Sequence, residues 1–144
     1  MQLPANTSAP TLGQIQRAES ILRAAPEELK LDIEPTHTFG PGFYARTVQL
    51  PAGASAVGKV HATEHVFILS AGEIAIASEE GRQIVRAPFQ CISRPGVKRA
   101  VIALTDCVVT NIHITTETDL GRLEAQLIAP EALEYDAPAE ALEA

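Results

Sequence analysis

Four histidines are the residues of this sequence best suited to chemistry. His61 and His65 lie four residues apart in the stretch GKVHATEHVFILSAGE, while His37 and His113 lie in other segments rich in Val, Ile and Thr. Residues four apart in an extended strand point to the same side, so the first two can share one face. Imidazole nitrogens bind zinc, iron, manganese and nickel and leave positions open for water or substrate. The sequence therefore predicts a divalent transition metal held by His61, His65 and His113, with His37 as a fourth ligand or a proton carrier.

A structural role for the same histidines is the competing interpretation, because a histidine in a strand is often only hydrogen-bonded or half-exposed. His113 lies near the end of segment 107–115, on the side shared by Val109 and Asn111, and this side is the more polar one. A polar inner face is costly in a small barrel unless it lines a cavity or holds a ligand. His113 therefore supports the metal-site interpretation only if the fold brings its strand beside His61 and His65. Glu64 joins them only if the chain bends beside it.

Short segments rich in Val, Ile and Thr fill the middle of the chain and must position these histidines. Turn residues separate them, and they span 31–38, 43–50, 55–61, 65–70, 73–78, 83–87, 89–94, 98–104 and 107–115. Many short strands with regular turns are typical of an all-β sandwich or barrel. The sequences SAGE and EEGR are both predicted to be hairpin turns.

Helical patterns flank this β-rich region. Thr11 with Gln14 resembles a capping box, and apolar residues near helical spacing predict a short amphipathic helix over 12–24. Beyond residue 115, Thr118 can cap a second helix and Asp119 favours its N-terminus. The apolar stripe of this second helix consists of Leu120, Leu123 and Leu127.

The chain is therefore expected to have three parts. They are an N-terminal arm and helix (1–30), a β domain (31–116), and a C-terminal helix with an acidic tail (117–144). A total of 144 residues corresponds to one domain.

Composition and charge exclude several classes of partner. The formal net charge is −7, whereas a nucleic-acid surface needs a basic stripe. No apolar stretch approaches the length of a membrane span, and the N-terminus lacks the pattern of a secretory signal. Cys91 and Cys107 are expected to be small buried thiols, with a disulfide left open.

The stretch GKVHATEHVFILSAGE, with APFQCISRPGVKRAVIAL after it, resembles the two-part signature of the cupin superfamily. That signature carries two histidines two apart, a glutamate, a glycine after the next strand, and then Pro-x-Gly-x-x-His. The positions that match it here are Gly58, His61 and Gly72. Lys59 stands where the first histidine would be, His65 where the glutamate would be, and Arg99 where the last histidine would be. The resemblance implies an antiparallel jelly-roll barrel, whose usual ligand set is altered in this chain.

A closer resemblance is to small cupin-like proteins of phages and prophages. It is based on HTFGPGFYAR, GKVHATEHVFILSAGE, PGVKR and HITTETDLGRLE, and covers residues 12–128. It implies a non-enzymatic capsid cement or decoration protein, located in the virion or the host cytoplasm. The arms 1–30 and 117–144 would then contact capsid subunits. The alternative is a metal-dependent cupin enzyme that acts on a small molecule.

Two further expectations concern assembly and basic residues. Most soluble oligomers are symmetric, so a homodimer or a larger symmetric assembly is expected. Arg46 is expected to pair with a surface acid. Lys98 and Arg99 are expected on a solvated turn, with contact to a carboxylate or phosphate at the barrel mouth as the alternative.

Overall fold

The computed structural model describes residues 9–26 and 33–128. Two helices and nine strands occur in these residues: α1 (Leu12–Ala24), β1 (Thr36–Gly40), β2 (Phe43–Leu50), β3 (Ser55–Val57), β4 (His65–Ala71), β5 (Glu73–Ser78), β6 (Gly81–Arg86), β7 (Phe89–Ser93), β8 (Ala100–Ala103), β9 (Cys107–Ile114) and α2 (Leu120–Leu127). The acidic tail from 129 onward, the N-terminal residues 1–8 and residues 27–32 lie outside the described residues.

The strands form two antiparallel sheets, as the jelly-roll prediction requires. A five-stranded sheet has the order β1-β2-β9-β4-β7, and a four-stranded sheet has the order β3-β8-β5-β6. β1 with β2 and β5 with β6 are pairs of consecutive strands, whereas the other neighbouring strands are distant in sequence, and β9 lies between β2 and β4. The predicted all-β fold with two short helical extensions is confirmed.

Several strand bounds shift by one or two residues, and the larger differences from the predictions are two strand ends and one turn. β1 begins at Thr36 rather than at 31, directly after Pro35, which has no backbone N–H to donate to a ladder. β3 ends at Val57, so the predicted strand over 55–61 is too long. EEGR does form a hairpin between β5 and β6, whereas SAGE does not.

The SAGE segment instead joins the two sheets. Gly72 has a φ of +90°, and a Cβ there would collide with the backbone of Asp106. Only a glycine fits this corner, where the chain leaves the five-stranded sheet and enters the four-stranded one.

Apolar side chains from both sheets form the core. The main cluster consists of Leu50, Ala54, Phe67, Leu69, Ile74, Ile76, Ala103, Cys107 and Val109. Cys107 is buried and Cys91 is half-buried, and both are free thiols. Because the thiols are unpaired, the barrel is stabilised by packing and not by a disulfide between them.

Each helix is capped and packed against the barrel. Thr11 and Gln14 form the predicted capping box of α1, whose Ile15 is buried. The N-cap of α2 is Asp119, one residue after Thr118. Leu123 and Leu127 pack against Tyr44 of β2, while Leu120 stays largely exposed, so two of the three predicted leucines are buried. Neither helix is long and apolar enough to cross a membrane.

Candidate metal centre

Two of the histidines come from neighbouring strands of the five-stranded sheet. β4 and β9 pair antiparallel with Val66 opposite Ile112, so His65 and His113 are adjacent at the end of this ladder. On the other side of β9, His113 is paired with Tyr44 of β2. The side of β9 that carries Val109, Asn111 and His113 faces inward, because Val109 and His113 are both buried. The sheet register therefore brings together residues that lie 48 positions apart in the sequence.

His61 reaches the same place from a loop. Its carbonyl oxygen accepts a hydrogen bond from the N–H of Gly96 at 2.9 Å. The next N–H, of Ala62, donates to the carbonyl of Leu127 at 2.6 Å, and His61 makes a single β-bridge with Ile128. The expectation that His61 and His65 share one extended strand is therefore wrong. Contacts with the β7–β8 turn and with the end of α2 position His61 instead.

The three imidazoles converge. Their ring centroids are 4.3 Å apart for His61 and His65, 4.5 Å for His65 and His113, and 5.1 Å for His61 and His113. One ring nitrogen of each lies within 4.8 Å of the others. His65 and His113 are buried and His61 is half-buried. Glu64 is exposed and lies outside this group, although the chain bends beside it.

Burial keeps these imidazoles neutral near pH 7. Desolvation, with the nearby His65 and His113 contributing, lowers the pKa of His61 to about 3. Desolvation also lowers the pKa of His113 to about 4 and shifts the pKa of His65 in the same direction. Neutral imidazole is the form that binds a metal, so protons do not compete for these nitrogens at neutral pH.

Hydrogen bonding differs between two of the rings. Nε2 of His65 lies 3.1 Å from Oδ1 of Asn111, and its Nδ1 lies 3.5 Å from the carbonyl of Thr63. Nδ1 of His113, by contrast, is buried without a hydrogen-bond partner. A buried polar atom without a partner costs about 1–3 kcal/mol, and coordination of a cation would remove that cost.

The donor set fits a divalent transition metal. Two nitrogens bound about 2.1 Å from one tetrahedral ion stand about 3.4 Å apart. The nitrogens here lie within 4.8 Å of one another, so side-chain rotations that move them by about 1 Å bring them to that spacing. Three neutral nitrogens suit zinc, iron, manganese or nickel and leave at least one position open.

His37 is separate from the group of three. It is exposed on β1, and its Nδ1 lies 2.7 Å from the hydroxyl of Tyr44. The Tyr44 ring stacks in turn on His113, with centroids 6.0 Å apart. The structure thus connects His37 to the three histidines through a tyrosine, and its role stays a prediction.

A cavity of about 630 Å³ adjoins the histidines. All four histidines line it, together with Tyr44, Arg46, Arg99 and Asn111. Its apolar wall includes Val48, Leu50, Phe67, Ile74, Val101 and Val109. The cavity combines a polar region at the imidazoles with an apolar region in the barrel, as is usual for small-molecule sites.

The basic residues differ from their expected positions. Lys98 is 1% exposed, and its Nζ donates to Glu19 of α1 at 3.1 Å, so the solvated turn predicted for it is wrong. Arg99 donates to the hydroxyl of Ser93 and lines the cavity. Arg46 also lines the cavity and forms no ion pair with a described acid, contrary to expectation.

No protein-family model matches the chain, and no curated protein is similar to it in sequence. Solved structures are similar in fold. The Cnp3 cupin domain of Schizosaccharomyces pombe aligns with a TM-score of 0.50 and 18% identity, over 66% of this chain and 72% of that one. KdgF from Halomonas sp. aligns with a TM-score of 0.50 and 13% identity, over 62% of this chain and 86% of that one.

A larger protein contains a similar barrel. Salicylate 1,2-dioxygenase from Pseudoaminobacter salicylatoxidans, solved with gentisate adducts, aligns with a TM-score of 0.52 and 12% identity. The alignment covers 69% of this chain and 30% of that enzyme. At these identities the similarities show that the barrel has the cupin fold, and they show no more than the fold.

Proposed function

We propose that this protein binds one divalent transition metal ion through His61, His65 and His113 and acts on a small molecule in the adjoining cavity. The observation that supports this most is the convergence of three neutral imidazole nitrogens within 4.8 Å of one another, one ring having a buried Nδ1 without a partner. When bound, such an ion polarises a substrate oxygen or activates water.

Other residues of the chain line this site, orient one of its histidines and carry a proton. The apolar side chains Val48, Phe67 and Val109 limit the water in the inner part of the cavity. Asn111 orients His65 through the hydrogen bond to Nε2, and it must release that nitrogen, or His65 must use Nδ1, for the ring to bind an ion. Tyr44 stacks on His113 and its hydroxyl lies 2.7 Å from Nδ1 of His37, so when the hydroxyl gives its proton to a reactant, a proton from Nδ1 of His37 can replace it.

Metal analysis of protein purified without a histidine tag tests the metal site. We expect about one zinc, iron, manganese or nickel ion per chain in the wild type. His61→Ala and His113→Ala are each expected to lose the ion while the far-ultraviolet circular dichroism stays unchanged. His37→Ala is the matched control, because it removes the one histidine that lies outside the group, and it is expected to keep the ion.

Two results would contradict this proposal. One is a wild-type protein that binds no stoichiometric metal even after incubation with each of the four ions. The other is an ion that stays bound when His61 and His113 are both replaced. Loss of the ion in His37→Ala alone would move the site toward Tyr44 and contradict the assignment of the three ligands.

The role as a phage capsid cement or decoration protein stays a prediction. The described residues and the comparisons contain no observation that bears on phage origin, and residues 1–8, 27–30 and 129–144 of the two arms lie outside the described residues. The predicted symmetric assembly also stays a prediction. The outer face of the five-stranded sheet is where we would look for it, because Ile92 and Ile114 are 57% and 90% exposed there.

A further inference from the structure

The cavity has an excess of positive charge in a protein that is acidic. The chain as a whole carries a formal charge of −7, yet three cationic side chains, Lys59, Arg46 and Arg99, line the cavity. Glu124 is the only carboxylate among the described residues that line it, and it forms an ion pair with Lys59. The two arginines therefore leave the cavity with a positive charge that no lining carboxylate offsets.

Arg46 is the more available of the two arginines. It lies on the inward side of β2, between Tyr44 and Val48, which also line the cavity. Within the described part of the chain its side chain donates no hydrogen bond to another residue and forms no ion pair with a carboxylate. An inward arginine can stay solvated at this position because the cavity is open beside it. Its planar guanidinium has five N–H groups that suit a carboxylate.

Arg99 is held in place by the protein. It donates to the hydroxyl of Ser93, and its Nη2 lies 3.9 Å from Glu80. Its side chain is only 21% exposed, so it is a fixed positive charge at the edge of the same cavity. Its charge and that of Arg46 both reach His61, whose pKa each of them lowers.

A metal ion would increase this imbalance. The three imidazoles are neutral, so a divalent ion bound to them keeps its full charge of about +2 beside two guanidinium groups. Like charges this close repel one another in a site of low dielectric constant. An anionic ligand would relieve that repulsion, whereas a neutral one would not.

We propose that the cavity binds a small organic acid, whose carboxylate pairs with Arg46 near Arg99 and whose carbon skeleton lies against Val48, Phe67 and Val101. The placement of this carboxylate beside a metal ion rests on the function proposed above. The pairing with Arg46 does not, because it follows from the lining of the cavity alone. The apolar wall favours an organic acid over inorganic phosphate, since phosphate has no carbon atoms to bury there.

Calorimetric titration of the metal-free and zinc-loaded protein tests this inference. The probes are hexanoate, the neutral hexan-1-ol and inorganic phosphate, with the zinc content of each sample measured alongside. We expect hexanoate to bind most tightly, and hexan-1-ol to bind about tenfold or more weakly because it cannot accept a charge-assisted pair of hydrogen bonds. Hexanoate is also expected to bind more tightly with zinc present.

Variants assign the binding to Arg46. Arg46→Gln is expected to weaken hexanoate binding about tenfold or more and to leave the zinc content and the hexan-1-ol affinity unchanged. Arg46→Lys keeps the positive charge but lacks the planar set of N–H donors of the guanidinium. Its affinity for hexanoate is therefore expected to lie between those of the wild type and Arg46→Gln. Arg82→Gln is the matched control, since Arg82 is an exposed strand arginine outside the cavity.

The outcomes separate this inference from the proposed metal site. Equal hexanoate affinity in the wild type and in Arg46→Gln would overturn it, as would phosphate binding more tightly than hexanoate. A zinc-loaded wild type that binds no hexanoate would overturn it while the metal site stands. Hexanoate binding that depends on Arg46 in a protein unable to hold zinc would support the anion site and contradict the metal site.

Discussion

The inner face of β2, β4 and β9 has two contrasting ends. At one end, here called the apolar end, the inward residues are Leu50, Leu69 and Cys107. At the other, here called the histidine end, they are Tyr44, His65 and His113. The β2–β9 ladder pairs Leu50 with Cys107 at one end and Tyr44 with His113 at the other. The same two strands therefore carry apolar side chains at one end and polar ones at the other.

This contrast separates stability from function along one set of strands. The apolar end buries side chains that water would otherwise have to solvate, which is the main favourable contribution to folding. The histidine end buries imidazoles at a cost in desolvation and leaves one nitrogen without a partner. Buried polar residues at one end of a barrel, around a cavity, are the arrangement expected for the binding site proposed above.

The largest effect is expected when a buried side chain is truncated at the apolar end. Leu69 is fully buried, so Leu69→Ala should lower the free energy of unfolding by about 2–5 kcal/mol. Chemical denaturation measures this change. The metal content of the folded fraction should stay at the wild-type value, because no ligand is altered. Loss of the ion from folded Leu69→Ala would show that the two ends are not independent.

The second-largest effect is expected from acidification, which acts on the histidine end. The pKa values of His61 and His113 are about 3 and about 4 in the folded protein, below the value of about 6.5 for an unfolded histidine. As the pH falls, the unfolded state therefore takes up protons before the folded state does. In metal-free protein the contribution of the two histidines to the free energy of unfolding is fully present above about pH 6.5 and is lost as the pH falls toward about 4.

From about pH 7 to about pH 5 this loss is roughly 2 kcal/mol for each of the two histidines. Denaturation of chelator-treated protein at both pH values measures it. Leu69→Ala should show the same pH dependence as the wild type, whereas a His61→Gln and His113→Gln double variant should lose most of it and keep only the part that comes from His65, whose pKa is also lowered by burial. A pH dependence as large as that of the wild type in the double variant would place its origin elsewhere.

Replacement of a polar residue by an apolar one should have opposite effects on stability and binding at the histidine end. His113→Leu removes the buried nitrogen that lacks a partner, so we expect metal-free protein to gain about 1 kcal/mol in its free energy of unfolding. The same variant should bind no metal. A loss of stability as large as that of Leu69→Ala would mean that His113 serves the core and not a ligand.

The smallest effect is expected at the rim of the cavity. Lys59 and Glu124 form an exposed ion pair between the loop before His61 and helix α2. Exposed pairs of this kind contribute little, so Lys59→Gln should leave both the unfolding transition and the metal content unchanged. Metal loss in this variant, measured on the folded protein, would show that the pair positions His61.

Much of this fold could be predicted from the sequence because its determinants are local. Alternating Val, Ile and Thr with turn residues between them predicted nine strands close to the observed ones, and Thr11 with Gln14 predicted the start of α1. The corner at Gly72 was missed, because a glycine turn looks the same whether it closes a hairpin or joins two sheets.

The site was less predictable, since its geometry depends on distant contacts. His61 is positioned by Gly96 and Leu127, and the burial of Lys98 depends on Glu19, which lies 79 residues away. The inward position of Arg46 did have a local signal, because it alternates with Tyr44, Val48 and Leu50 on β2. That alternation should have predicted an arginine on the side of β2 that faces the cavity.

The most direct test of the central claim is X-ray absorption at the K edge of the bound ion in metal-loaded protein. If His61, His65 and His113 hold the ion, the spectrum will contain nitrogen scatterers at about 2.0–2.1 Å and the outer-shell signal of about three imidazole rings. His113→Leu will lose that signal. A shell of oxygen atoms without imidazole scattering in the wild type would contradict the account.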